Sequence, residues 1–177
     1  MPSAQLRIGM LIDDGFDDDE LSALSEQFDQ AGARVVIVAP FPGRLYSGRR
    51  ARLDVAGDLA VRGTRAALFS ALVIPGGYSP DRLRMRHAVL DLVRDAIAAN
   101  IPVGAIGHGA QVLISASAID GRTVTCWPSI AIDVKNAGGL YVDRPVVDDR
   151  GVITARKIDD IGPFVETILR AAASHSQ

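Results

Sequence analysis

Ile101-Pro102-Val103-Gly104-Ala105-Ile106-Gly107-His108-Gly109-Ala110-Gln111-Val112-Leu113-Ile114 is the stretch from which the rest of the chain can be read. The apolar run Val103, Ala105, Ile106 is a buried strand, Gly107-His108-Gly109 is a tight turn, and Ala110, Val112, Leu113 and Ile114 continue at helical spacing. A strand-to-helix turn of this kind holds one residue at the carboxyl end of the strand, with its side chain pushed into the open. That is where many α/β proteins carry a nucleophile. Here the apex is Gly107, which has no side chain.

The segments before and after it repeat the same alternation. Leu6–Ile12 reads as a strand ending in Asp13-Asp14-Gly15, and Leu21, Leu24, Phe28 and Ala31 mark a helix from Glu20 to Ala31 with acidic residues at its start. Val35–Ala39 is a second, wholly apolar strand of the kind covered on both faces of a parallel sheet. The glycine-punctuated segment from Phe41 to Gly63 suggests a hairpin or two short strands. Leu68–Ile74 is the next strand, followed by the Pro75-Gly76-Gly77 turn and one helix from about Asp81 to Asn100. Beyond the central stretch, Thr123–Cys126 is expected as a short strand and Ile130–Ala137 as a helix. Tyr141-Val142 and Val146-Val147 are expected to pair with each other, and the last helix runs from about Asp160 to Ala173. The implied fold is a single α/β domain over residues 1–177, with a mostly parallel sheet and helices on both faces. Ligands bind such sheets at the carboxyl ends of the strands, where Asp13–Asp19, Pro75–Asp81 and Gly107–Ala110 converge.

Bulk properties narrow the function classes. The 177 residues are 48% hydrophobic and 23% charged, with a formal net charge of -2. That balance and the lack of a Lys/Arg stripe give no footprint for nucleic acid. No apolar run approaches a membrane span, and no basic N-terminal region precedes a long apolar one, so a cytoplasmic location is expected. The single cysteine, Cys126, excludes an internal disulfide framework. No His/Cys/Asp/Glu grouping has metal-ligand spacing and no glycine-rich loop has a dinucleotide or phosphate-loop pattern, so neither metal nor cofactor is expected.

Three sets of residues in their order and spacing then carry a resemblance. They are Asp14-Gly15-Phe16-Asp17-Asp18 with Glu20-Leu21, Pro75-Gly76-Gly77 with Pro80-Asp81 and Leu83-Arg84, and Pro102-Val103 with Ala105-Ile106-Gly107-His108-Gly109. Gly121-Arg122, Val124 to Ser129, Asn136-Ala137-Gly138, Ala155-Arg156-Lys157 and Asp159-Asp160 extend it over nearly the whole chain. The sequence resembles the ThiJ/PfpI superfamily, closest to its PfpI branch, and so implies a flavodoxin-like three-layer sandwich related to class I glutamine amidotransferase domains. In that family the elbow reads Ala-Ile-Cys-His-Gly and the cysteine is the nucleophile; its place falls on Gly107. The resemblance further matches Asp17 to a glutamate pointing at the cysteine, His108 to a histidine following it, and Asp81 to an acidic residue reaching that histidine from a neighbouring subunit. A homodimer or higher homo-oligomer is implied with it.

Each position has a plainer role beside the functional one. Asp17 fits a helix cap, His108 a structural tie, and Arg156-Lys157 a surface pair. Cys126 should point into the core, because adjacent strand residues face opposite sides, which leaves Trp127 as an aromatic wall for a ligand. The leading expectation is an enzyme that has dropped thiol chemistry: a lyase, hydratase or isomerase acting on a small carbonyl-containing molecule. Asp17 moves the proton, His108 and Asp81 assist, and Gly76, Gly77, Gly107 and Trp127 bind the substrate. The alternatives are an inactive binding or stress-associated relative, and a PfpI-type hydrolase or deglycase with lost or altered activity.

Overall fold

A computed structural model of the chain describes residues 5–175. Eleven strands are present among them: β1 (Arg7–Leu11), β2 (Arg34–Ala39), β3 (Leu45–Ser47), β4 (Asp54–Ala56), β5 (Leu59–Ala60), β6 (Ala71–Ile74), β7 (Val103–Ile106), β8 (Thr123–Val124), β9 (Leu140–Tyr141), β10 (Val146–Asp149) and β11 (Val152–Ala155). The helices are α1 (Asp18–Gln30), α2 (Ser79–Leu83), α3 (His87–Ala98), α4 (Ala110–Ser115), α5 (Ala131–Asn136) and α6 (Ile161–His175). Seven strands form one sheet in the order β10-β11-β7-β6-β1-β2-β5, parallel throughout except for β10 at one edge. This is the α/β architecture with a mostly parallel central sheet that the sequence implies.

The order of elements explains the two cores. Strands such as β6 and β7 are buried along their whole length, as parallel strands covered by helices on both faces must be. On one face Leu72, Ile74, Val103 and Ala105 pack with Val89, Val93, Leu113 and Val134 from α3, α4 and α5. On the other, Ile8, Met10, Val73 and Ile106 pack with Leu24 and Phe28 of α1 and with Phe164 and Ile168 of α6. Burying apolar surface on both sides of one sheet, at about 25 cal/mol per Å², is the main force holding the layers together.

Four expectations are corrected. The helix expected from Asp81 to Asn100 is two helices, α2 and α3, because Arg86 adopts an extended conformation (φ -104°, ψ 112°). Its guanidinium Nε donates to buried Asp13 at 3.1 Å, which turns the chain out of helical geometry between the apolar positions Leu83 and Val89. Tyr141-Val142 and Val146-Val147 do not pair. β9 runs parallel to β8, and β10 pairs with β11 through a two-residue turn. Both turn residues, Arg150 (φ 53°) and Gly151 (φ 82°), have the positive φ that tight hairpins of matching twist require. The strand expected over Thr123–Cys126 stops at Val124, and the one expected from Leu68 starts at Ala71, after a short 3-10 turn over Ala66–Leu68.

Candidate active site

Four parallel strands, β1, β6, β7 and β11, deliver their carboxyl ends to one place. The loops after β1 and β6 are stitched together first. Phe16 and Gly77 form an isolated antiparallel bridge, Asp17 N–H donates to Gly76 C=O at 3.1 Å, and Tyr78 N–H donates to Gly15 C=O at 2.7 Å. A Cβ on Gly77 (φ 83°) would lie 2.5 Å from both Asp17 N and Gly15 O, so no other residue fits this crossing.

That stitch sets the start of α1. Asp17 is its N-cap, and its Oδ1 accepts from the N–H groups of Asp19 (3.1 Å) and Glu20 (3.0 Å). Its Oδ2 accepts from Arg49 Nε at 2.9 Å and lies 2.8 Å from Arg49 Nη2. Glu20 stands three residues on, where a capping-box glutamate would reach back to the cap's N–H. Since Gly76 C=O already takes that N–H, Glu20 turns to the same glycine's amide instead, and its Oε2 accepts from Gly76 N–H at 2.7 Å. Glu20 is only 8% exposed. Burial pushes its carboxyl up to about 7; the Gly76 hydrogen bond and the charge of Arg49 pull the other way, and the charge of Asp17 adds to the rise.

Gly107 follows β7 and has φ 58°, a left-handed conformation that costs a side-chain-bearing residue on the order of 1–2 kcal/mol. It opens a 3-10 turn over Gly107–Gly109 that runs into α4, and such first N–H groups have no acceptor within the helix. A Cβ at Gly107 would stand 3.4 Å from Glu20 Oε1 and 3.6 Å from the carbonyl oxygen of Arg156. Glu20 is therefore the carboxyl that faces the apex of the turn.

The remaining walls are aromatic and basic. A cavity of about 280 Å³ is lined by Asp17, Glu20, Arg49, Gly77, Tyr78, Gly107, His108 and Trp127. His108 stacks on Trp127, with ring centroids 6.1 Å apart and planes 26° from parallel. Partial burial and then the nearby positive charge of Arg49 lower the His108 pKa, which favours the neutral imidazole. Arg49 comes from the turn between β3 and β4, which Asp18 holds down. The buried Asp18 carboxylate accepts from the N–H groups of Arg50 (2.9 Å), Arg52 (2.9 Å) and Leu53 (3.0 Å). Its pKa lies below the usual value: burial opposes ionisation, and these backbone hydrogen bonds together outweigh it.

The structure thus gathers Asp17, Gly77, Gly107, His108 and Trp127 around one cavity, with Gly76 beneath Glu20. Asp81 is exposed on α2 and lines an adjoining cavity of about 640 Å³ together with Gly77, Tyr78, Arg82, Met85, His108 and Gln111. Cys126 is fully buried in the core, and burial, with the charge of Asp133, pushes its thiol up to about 12. It is no nucleophile at neutral pH. Among the described residues no group of three or more His, Cys, Asp or Glu side chains is placed to hold a metal ion, and no helix is long and apolar enough to cross a membrane. Of the residues lining the cavity, Glu20, Arg49 and Tyr78 escaped the sequence reading. The Asp17-x-x-Glu20 spacing was the available signal for the first. Nothing local marks the second, which arrives through a hairpin 32 residues further along the chain.

Comparison with known proteins agrees with this geometry. A model of the DJ-1/PfpI family matches residues 6–171. Protein/nucleic acid deglycase 2 of Escherichia coli (strain K12) is 38% identical over 165 residues, covering 93% of this chain and 96% of that protein. A deglycase of Pyrococcus abyssi is 34% identical over 165 residues, covering 93% and 98%. Among solved structures, a two-domain protein of Anabaena variabilis with DJ-1/ThiJ/PfpI-like and ferritin-like domains superposes with a TM-score of 0.91 at 32% identity. That match covers 94% of this chain and 48% of the other, so the chain spans about half the length of that protein.

Proposed function

This chain belongs to the DJ-1/PfpI family, and from that premise we propose that it acts on small carbonyl compounds or their amine and thiol adducts by proton transfer through Glu20. The deglycase names of two relatives support the substrate class. The loss of thiol chemistry belongs to the same proposal: Gly107 stands where the family's nucleophilic cysteine is expected, and the chain's one cysteine is buried elsewhere.

The observation that carries the reading is the buried Glu20 carboxyl, facing Gly107 with a pKa of about 7. A general acid or base works best when its pKa is near the working pH, and groups so placed contribute roughly 10²–10⁴-fold to rate. Asp17 is the less suitable proton carrier, because both its oxygens are engaged, by the α1 N-terminus and by Arg49. Its part is to keep Arg49 beside the cavity. N–H groups at the start of the Gly107 turn are suited to negative charge developing on a substrate oxygen. His108 serves as a second proton acceptor or an orienting group, with Asp81 of a neighbouring copy as its candidate partner.

The test is an assay of wild type, Glu20→Gln and Gly107→Cys on methylglyoxal, glyoxal and their adducts with Nα-acetyl-lysine and N-acetylcysteine. Turnover by wild type that falls roughly 100-fold or more in Glu20→Gln is expected. Turnover only in Gly107→Cys would refute it and mark the site as a lapsed thiol enzyme.

A further inference from the structure

The Arg49–Asp17 pair is partly exposed and adds little to stability, yet Arg49 stands in the cavity wall with Glu20, Gly107 and His108. How it is tied there decides what it can still bind. Arg49 Nε and Nη2 both meet one oxygen, Asp17 Oδ2, at 2.9 and 2.8 Å. Asp17 Oδ1 is held by the N–H groups of Asp19 and Glu20, so the carboxyl does not swing round to take more of the guanidinium. One edge of the planar fork is thus spent. The other edge, Nη1 with the second hydrogen of Nη2, has the spacing that grips a carboxylate through two parallel hydrogen bonds. The Tyr78 phenol, the other side-chain partner of this guanidinium, also lines the cavity and carries a further donor. The charge of Arg49 reaches both proton-carrying walls, drawing down the Glu20 carboxyl and the His108 imidazole alike.

We propose that Arg49, with the Tyr78 hydroxyl, is the carboxylate anchor of this site, and that the carbonyl compound it takes is a 2-oxo acid. This rests on the function proposed above and names its substrate class. In a 2-oxo acid the carboxylate adjoins the reacting carbonyl. One small molecule therefore reaches Arg49 with the first group while the second lies toward Glu20 and Gly107. The cavity, at about 280 Å³, falls just below the roughly 300–1,000 Å³ of sites for drug-sized ligands, which suits a substrate of few heavy atoms. A neutral dicarbonyl compound offers the guanidinium fork no charge to hold. An amine adduct of the acid keeps the carboxylate, and its amine part has room in the adjoining cavity, which shares Gly77, Tyr78 and His108. At Glu20, the bound anion acts with the charge of Asp17 and against that of Arg49, so it favours the protonated carboxyl.

The probe is oxamate, an unreactive amide analogue of a 2-oxo acid, with neutral oxamide as its control. By calorimetry the intact chain should bind oxamate roughly tenfold or more tightly than oxamide, and Arg49→Ala should lose roughly 10–100-fold of the oxamate affinity. Arg49→Lys keeps the charge without the fork and should fall between the two. Circular dichroism should match wild type in both variants, and oxamate should move the wild-type Glu20 titration upward. In turnover, glyoxylate is compared with glyoxal and pyruvate with methylglyoxal, each as its Nα-acetyl-lysine adduct. Wild type should favour the acid of each pair by roughly tenfold or more in kcat/KM, mainly through KM, and Arg49→Ala should lose that preference. Oxamate and oxamide bound alike, or oxamate affinity kept in Arg49→Ala, would overturn the anchor. Aldehydes turned over as well as the acids would overturn the substrate class while leaving Glu20 as proton carrier. Oxamate held through Arg49 by a chain inert on every adduct would overturn the function proposed above and uphold the anchor.

Discussion

The floor and the rim of the pocket are both built from acidic residues of one helical turn, yet they have opposite electrostatics. At the rim, the Asp17 carboxyl is saturated with donors from the α1 N-terminus and Arg49, and its chain neighbour Asp18 accepts from three backbone N–H groups. At the floor, Glu20 accepts from Gly76 N–H and is buried, and burial pushes its carboxyl up to about 7. A carboxylate with many donors is a structural clamp. One with few, buried beside an open position, is a proton carrier.

The sharpest way to break that contrast is at the crossing on which both depend. Gly77→Ala forces a Cβ to within 2.5 Å of two backbone atoms, and a loss of about 3 kcal/mol or more is expected by urea denaturation. A stability change under 1 kcal/mol would show that the loops after β1 and β6 are not rigidly joined.

Glu20→Gln should act the other way, and only at high pH. The folded pKa of about 7 lies above the ordinary 4.5, so folding favours the protonated form. That contribution is fully present below about pH 4.5 and is lost as pH rises through 7. A neutral amide removes the dependence. The variant should therefore match wild type at pH 4 and exceed it by about 3 kcal/mol at pH 8, the equivalent of roughly 2.5 units. Equal stabilities at pH 8 would place Glu20 among the rim carboxylates.

Asp18→Ala leaves three N–H groups of the β3–β4 turn without their acceptor and should cost about 2–3 kcal/mol, again by denaturation. Arg49→Ala should cost least, under about 1 kcal/mol, because its pair with Asp17 is partly exposed. Its electrostatic effect should still be visible: removing the positive charge moves the Glu20 and His108 titrations upward, which NMR can follow.

The same contrast explains what could be read from sequence. The parallel sheet was legible because apolar runs such as Val35–Ala39 and Val103–Ile106 need no distant information. So was the meeting of three loops, which follows from topology alone. The break between α2 and α3 was not, because it depends on Arg86 reaching Asp13, 73 residues away. Glu20 was overlooked for Asp17 because nothing within the turn says which acid is capped and which is buried. That is decided by Gly76 and Gly107, brought in from β6 and β7. Arg49 was invisible for a like reason: its place is set by the Asp18 clamp, not by its neighbours in the chain.

The most direct measurement is the titration of the Glu20 side-chain carboxyl by carbon-13 NMR, assigned with Glu20→Gln. A midpoint near 7 is expected for a buried carboxyl poised to exchange protons beside Gly107. A midpoint at the ordinary 4.5 would contradict it, and would make the floor of the pocket no different from its rim.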